Sequence, residues 1–251
     1  MKRLSIVTTS KFLMFSLATV AVSLMSIQSA TAATFDLSFT KLSGVTGGNP
    51  QGTAVYHAQL SNIGFDNISS ILIGDSNIGT GGEPGKFSGF DLDAIKLSRT
   101  SISSASGINS ITGLNLFDFS PTGTVFTPGT KRPTANPALS GNLFGTTGDS
   151  IDNSVATLQN FDGNSVTNTN AFGYASLGDG GQVGFNLTSP VSTRSSLYLY
   201  IGEVGDNGEV ATVQITVSDE PIRIPEPTSL AALSLMGIYF TVRCTKRAKA
   251  Q

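Results

Sequence analysis

The 251-residue chain is 39% hydrophobic and 13% charged, with one histidine, one cysteine and no tryptophan. That inventory argues against a zinc site built from the usual His and Cys ligands and allows no disulfide within the chain. The formal net charge of −2 hides a segregation: Ala33 to Ile224 holds 16 Asp and Glu against 8 Lys and Arg, a net −8, and the other seven basic residues sit at the two ends. An acidic middle is a poor nucleic-acid binder.

The N-terminus reads as an export signal over 1–32. Lys2, Arg3 and Lys11 make a positive n-region, Phe12 to Val22 an apolar h-region, and Ala30 and Ala32 a small-residue site for cleavage before Ala33. An uncleaved N-terminal membrane helix is the other reading.

From 33 to 222 no 3.6-residue apolar period appears. Alternation with period two recurs instead, at Phe35, Leu37 and Phe39, at Val183, Phe185 and Leu187, at Leu197, Leu199 and Ile201, and at Val213, Ile215 and Val217. Such alternation puts apolar side chains on one face of a half-buried strand. Less regular candidates lie at 54–60, 68–73, 90–97, 114–119 and 155–161. Gly, Asn, Asp and Pro clusters such as Gly47-Gly48-Asn49-Pro50 and Gly178-Asp179-Gly180-Gly181 separate them as turns. Many short strands with glycine-rich turns predict an all-β domain, a single antiparallel β-sandwich of jelly-roll type. Residues 120–153, with Pro121, Pro128, Pro133 and Pro137, read as a long surface loop over one end of the sandwich. An insertion with short strands around Val125 and Leu143 is the alternative.

The last segment, 223–251, has three parts. Pro225-Glu226-Pro227 ends regular structure, because proline fixes φ and lacks an N–H. The uncharged run 228–242 follows, about 22 Å long as a helix at ~1.5 Å per residue. That is short for a hydrocarbon core of about 30 Å. Arg243, Lys246, Arg247 and Lys249 then make a basic cytoplasmic tail over 243–251. The order resembles the PEP-CTERM sorting signal of bacterial surface proteins. The resemblance implies an exported protein held briefly in the inner membrane by a short C-terminal helix. It also implies processing near Pro225-Glu226-Pro227 by an exosortase, a membrane-embedded cysteine protease. Release or anchoring at the cell surface among extracellular polysaccharide would follow. The only cysteine, Cys244, lies in the tail, so neither lipoprotein anchoring nor disulfides are expected. The Gly-Phe-Asp-Leu-Asp-Ala, Leu-Gly-Asp-Gly-Gly and Tyr-Ile-Gly-Glu-Val-Gly-Asp stretches resemble ectodomains of cyanobacterial-type PEP-CTERM proteins, which implies no particular activity.

Candidate sites inside the domain are few. His57 falls in an apparent strand, and no Gly-x-Ser-x-Gly elbow surrounds any serine, so a solvent-facing strand residue is expected there. Calcium would need oxygen ligands, and Asp91, Asp93, Asp179, Glu203 and Asp206 supply carboxylates in a strand and two turns. The competing reading makes them ordinary turn formers and the wet face of a strand. No carboxylate pair is marked for a glycosidase. Tyr198 and Tyr200 share one strand face, either packed under a second layer or forming an aromatic patch for sugars.

The expectation is therefore a non-enzymatic exported surface or matrix protein with no resident cofactor. The rivals are a secreted carboxylate-dependent hydrolase and a calcium-dependent carbohydrate-binding module.

Overall fold

The computed structural model describes residues 33–47, 52–76, 79, 82–164, 171–206 and 214–222. The expected signal segment at 1–32 and the expected sorting segment from 223 onward lie outside the described residues. The described part is all-β. Its strands are β1 (Thr34–Asp36), β2 (Thr40–Thr46), β3 (Thr53–Gln59), β4 (Asn67–Gly74), β5 (Asp91–Ser98), β6 (Thr124–Thr127), β7 (Thr146–Thr147), β8 (Ser150–Ile151), β9 (Ala175–Ser176), β10 (Gln182–Ser192), β11 (Tyr198–Val204) and β12 (Gln214–Ser218). The only α-helix among the described residues is one turn, Asn153–Ala156, capped by the Asp152 carboxylate on the Ser154 N–H at 3.0 Å.

Two five-stranded sheets carry the fold. One runs β1-β12-β4-β10-β6 and the other β2-β3-β11-β5-β9, with every strand pairing antiparallel. Apolar residues of both sheets join in one core. Ile71 and Ile73 of β4 and Val183 and Phe185 of β10 pack with Leu92 and Ile95 of β5 and Leu199 and Ile201 of β11. All eight are at most 2% exposed, and each is worth about 1.5–3 kcal/mol when fully buried. The arrangement is sandwich-like. Pro190 falls in β10 where the register against β4 shifts, between Asn186 and Val191. That is a position where a missing N–H breaks no ladder bond.

The second sheet is covered on its other face as well. Leu42, Val55, Ala94 and Tyr200 point away from the main core and pack with Ala105, Ile108 and Phe161 from loops. Further along, Val204 meets Phe87, Leu139 and Tyr174. A strand buried on both faces loses its polar alternation. This is why Asp91 to Ile95 are all buried although Asp91 and Asp93 alternate with apolar residues.

Several expected elements change. The alternating run 35–39 is not one strand: β1 pairs with β12, the chain crosses over, and β2 starts at Thr40 in the other sheet. Leu37 and Phe39 pack against the core from the crossing. The stretch 114–119 is an irregular strap between the sheets. The Leu114 N–H donates to Leu97 O at 2.9 Å in one sheet, and Asp118 N–H donates to Asn186 O at 2.9 Å in the other. The stretch 155–161 is the end of the helical turn and a loop. The span 120–153 is not simply a surface loop, because β6 within it extends the first sheet, pairing Phe126 with Val183. Val125 is thus in a strand, as the alternative reading held, whereas Leu143 is not; the short β7–β8 hairpin follows it.

The expected turn Gly178-Asp179-Gly180-Gly181 forms, and tertiary contact shapes it. Gly178 N–H donates to Ser88 O at 2.8 Å, and Thr130 and Asp179 exchange two backbone hydrogen bonds of 2.9 Å each. A Cβ on Gly89, whose φ is +74°, would stand 2.3 Å from the Gly178 carbonyl carbon. Only glycine permits that approach.

Candidate functional site

Asp93, in β5, is one of several polar side chains that are 0% exposed. The Thr53 hydroxyl of β3 donates to its Oδ2 at 2.6 Å, and the Gly163 N–H donates to its Oδ1 at 2.8 Å. The ladder between β11 and β5 is irregular here. Ile201 faces Ile95 but Glu203 faces Leu92, so β5 carries an extra residue at Asp93-Ala94. Burial pushes the Asp93 carboxyl up to about 7, against the pull of the two hydrogen bonds, and the neighbouring Asp162 charge raises it further. Asp162 is itself raised by burial, opposed by the Thr157 hydroxyl at 3.1 Å.

A carboxyl near pH 7 beside a second carboxyl has the acidity that general acid–base catalysis uses. Its surroundings do not open to a substrate. Both oxygens are occupied by protein donors, and a Cβ on Gly163 would stand 2.7 Å from Oδ1. The arrangement braces the chain at 161–164 onto the second sheet.

The five expected cation-binding carboxylates are dispersed. Asp91 is 6% exposed and accepts a hydrogen bond from the Ser176 hydroxyl of β9. Asp91 and Asp93 therefore do not form the wet strand face that their alternation suggested; loops bury that face. Asp179 faces Arg132, with Nε to Oδ1 at 3.3 Å, so a guanidinium stands against it. Burial raises Asp179, the Arg132 charge lowers it, and Asp75, which accepts from the Gly180 N–H at 2.9 Å, raises it again. Glu203 is 0% exposed at the end of the main core, and Asp206 pairs with Lys41. Burial, with the charges of Glu203 and Asp206, pushes the Tyr56 hydroxyl well above the ordinary phenol range. Among the described residues no group of three or more His, Cys, Asp and Glu is placed to hold a metal ion.

His57 is only partly exposed. It is half-buried, with its ring stacked on Tyr200 at 6.0 Å and 17°, and burial lowers its pKa. Tyr200 and Tyr198 lie on one face, as expected. The layer over Tyr200 is the loop after β5: its hydroxyl donates to Thr100 O at 2.8 Å and accepts from the Ile102 N–H at 3.2 Å.

Sequence reasoning missed Thr53, Asp162 and Arg132. Asp162-Gly163 reads as a turn, and nothing local shows that its amide reaches a strand 70 residues earlier. The expected sorting motif Pro225, Glu226 and Pro227, the basic tail and the expected cleavage residues Ala30 and Ala32 lie outside the described residues. Among the described residues no helix is long and apolar enough to cross a membrane.

Fold and centre define an all-β domain of two antiparallel sheets in which Asp91, Asp93 and Glu203 are buried. Compared with known proteins, the chain matches no family model, no curated protein and no solved structure.

Proposed function

We infer that this is a non-enzymatic exported surface or extracellular-matrix protein of PEP-CTERM type, sorted through its C-terminal segment. The domain at 33–222 is the exported part, a single jelly-roll-like sandwich. The observation that carries the reading is the order of Pro225-Glu226-Pro227, the uncharged run 228–242 and four basic residues, behind an N-terminal export signal. A transient membrane stop with a cytoplasmic tail follows from that order. An exosortase-type protease is its processing partner, and extracellular polysaccharide its surroundings.

The domain fits the role physically. It stands without disulfides on a two-sheet core, and its net charge of −8 favours solubility outside the cell. A carboxylate-dependent hydrolase would need its close carboxyls in an open cleft, and Asp93 is closed over.

The test is maturation in the native host. The wild-type protein should begin at or near Ala33 and lack its basic tail by intact mass. Glu226→Ala, with Pro225 and Pro227 also replaced, should accumulate in the inner membrane with its full C-terminus. Normal maturation of that variant would reduce the tail to a plain anchor and overturn the sorting claim.

A further inference from the structure

The strap at 113–119 and the loop after the helical turn leave a gap along the outer edge of β5. The Ile95 N–H donates to Leu158 O at 3.0 Å, and Leu97 O accepts from the Leu114 N–H at 2.9 Å. Ile95 and Leu97 thus both turn their backbone groups away from β11, as alternate residues of a strand do. This leaves Ile95 C=O and Leu97 N–H between Leu158 and Leu114, and neither bonds to a loop among the described residues. Buried backbone groups are nearly always paired.

A pocket of about 120 Å³ lies at this gap, lined by Lys96, Gly113, Asn115, Phe117, Phe119 and Gln159 besides the two strand residues. Phe117 and Phe119, 5.9 Å apart, form its apolar wall and lean on Phe185 of the core, which fixes them. The Asn115 and Gln159 amides are exposed at its rim. Lys96 brings no free charge, because its ammonium donates to Ile108 O at 2.7 Å and lies 5.5 Å over the Phe161 ring.

We propose that this pocket binds one edge of an uncharged sugar ring. Two hydroxyls satisfy Ile95 C=O and Leu97 N–H, and the C–H face rests on Phe117 and Phe119. A hydroxyl both donates and accepts, so a ring with several of them can meet a carbonyl and an amide at once. A single extended peptide residue can do so too, since its own N–H and C=O point to one side, so a one-residue peptide is the competing ligand. A peptide strand is blocked at both ends, since Leu114 and Leu158 already occupy the neighbouring positions on this edge. The site deepens the polysaccharide association proposed above. Its test reads binding and the sorting test reads the C-terminus, so either can fail alone.

The experiment is saturation-transfer NMR and calorimetry on the full-length protein. The probes are methyl glucoside, methyl galactoside and a blocked single-residue peptide, N-acetylalanine methylamide. The expected result is transfer to the ring protons of at least one glycoside and weaker transfer to the peptide. Gly113→Leu fills the pocket from its wall: a Cβ there meets Asn115 Oδ1 and Lys96 Cγ at an ordinary 3.4 Å. It should weaken glycoside binding about tenfold or more at an unchanged melting temperature. If that variant melts early, Gln159→Ala, at an exposed rim position, takes its place with a loss of about two- to tenfold. No transfer to either glycoside, equal binding by the variant, or stronger binding of the peptide would overturn the proposal.

Discussion

The Thr53 hydroxyl donates to the Asp93 carboxyl at 2.6 Å, tying β3 to β5 across the outer face of β11. The same carboxyl holds the Gly163 amide at 2.8 Å. One buried acid thus fixes three parts of the chain far apart in sequence.

That acid makes stability depend on pH. Its folded pKa is about 7 against an ordinary 3.8, so the folded state holds the proton more tightly than the unfolded chain. The contribution is fully present below about 3.8 and is lost as pH rises through about 7. His57 acts in the opposite sense: its lowered pKa removes stability as pH falls through its ordinary 6.5. The two are separated by comparing variants. Asp93→Asn keeps an acceptor for Gly163 and cannot ionise. Its melting temperature relative to wild type should rise between pH 5 and pH 8. A difference that stays constant across that range would show that Asp93 does not titrate there.

Tyr200→Phe removes one hydroxyl and strands two backbone groups, Thr100 O and Ile102 N–H, beneath the loop. The cost should be about 1–3 kcal/mol in denaturant unfolding, because unpaired buried groups lose their hydration without compensation. The His57 ring keeps its stacking partner, so its pKa, followed by NMR, should stay below the ordinary value. A stability change within error would place the loop's anchoring elsewhere.

Two glycines separate backbone strain from close approach. Gly141 has φ +112° and open space, with nothing within 4 Å of where a Cβ would stand, whereas Gly89 has φ +74° and the Gly178 backbone at 2.3 Å. Gly141→Ala should cost about 1–2 kcal/mol, the conformational penalty alone. Gly89→Ala must also push the 178–181 turn away, and should cost about 3 kcal/mol or more. Equal melting temperatures for the two variants would mean that the Gly89–Gly178 contact yields freely.

The legible part of the fold was the part written in local alternation. Val183, Phe185, Leu199 and Ile201 declared their strands because each alternates with residues on the opposite face, and all four enter the shared core. The run Phe35-Leu37-Phe39 alternates as well, yet it changes sheets midway, since the same pattern serves any apolar residue packed on one side. Residues 114–119 carry apolar side chains in strand-like order and form a strap, because their partners are single positions on two different sheets. Among the candidate site residues, the sequence marked Asp91 and Asp93 correctly as facing one way. It carried no sign that loops cover that way.

The sequence by itself determined the all-β class, the strand faces and the segregation of charge, because period, turn residues and net charge are local or additive properties. Only the tertiary structure decided that the Asp93 face is dry, that His57 is half-buried on Tyr200, and that Asp179 meets Arg132. Burial and pairing are set by which distant segment returns to cover a face. The bond from Gly163 to Asp93 spans 70 residues, and no periodicity records a contact of that range.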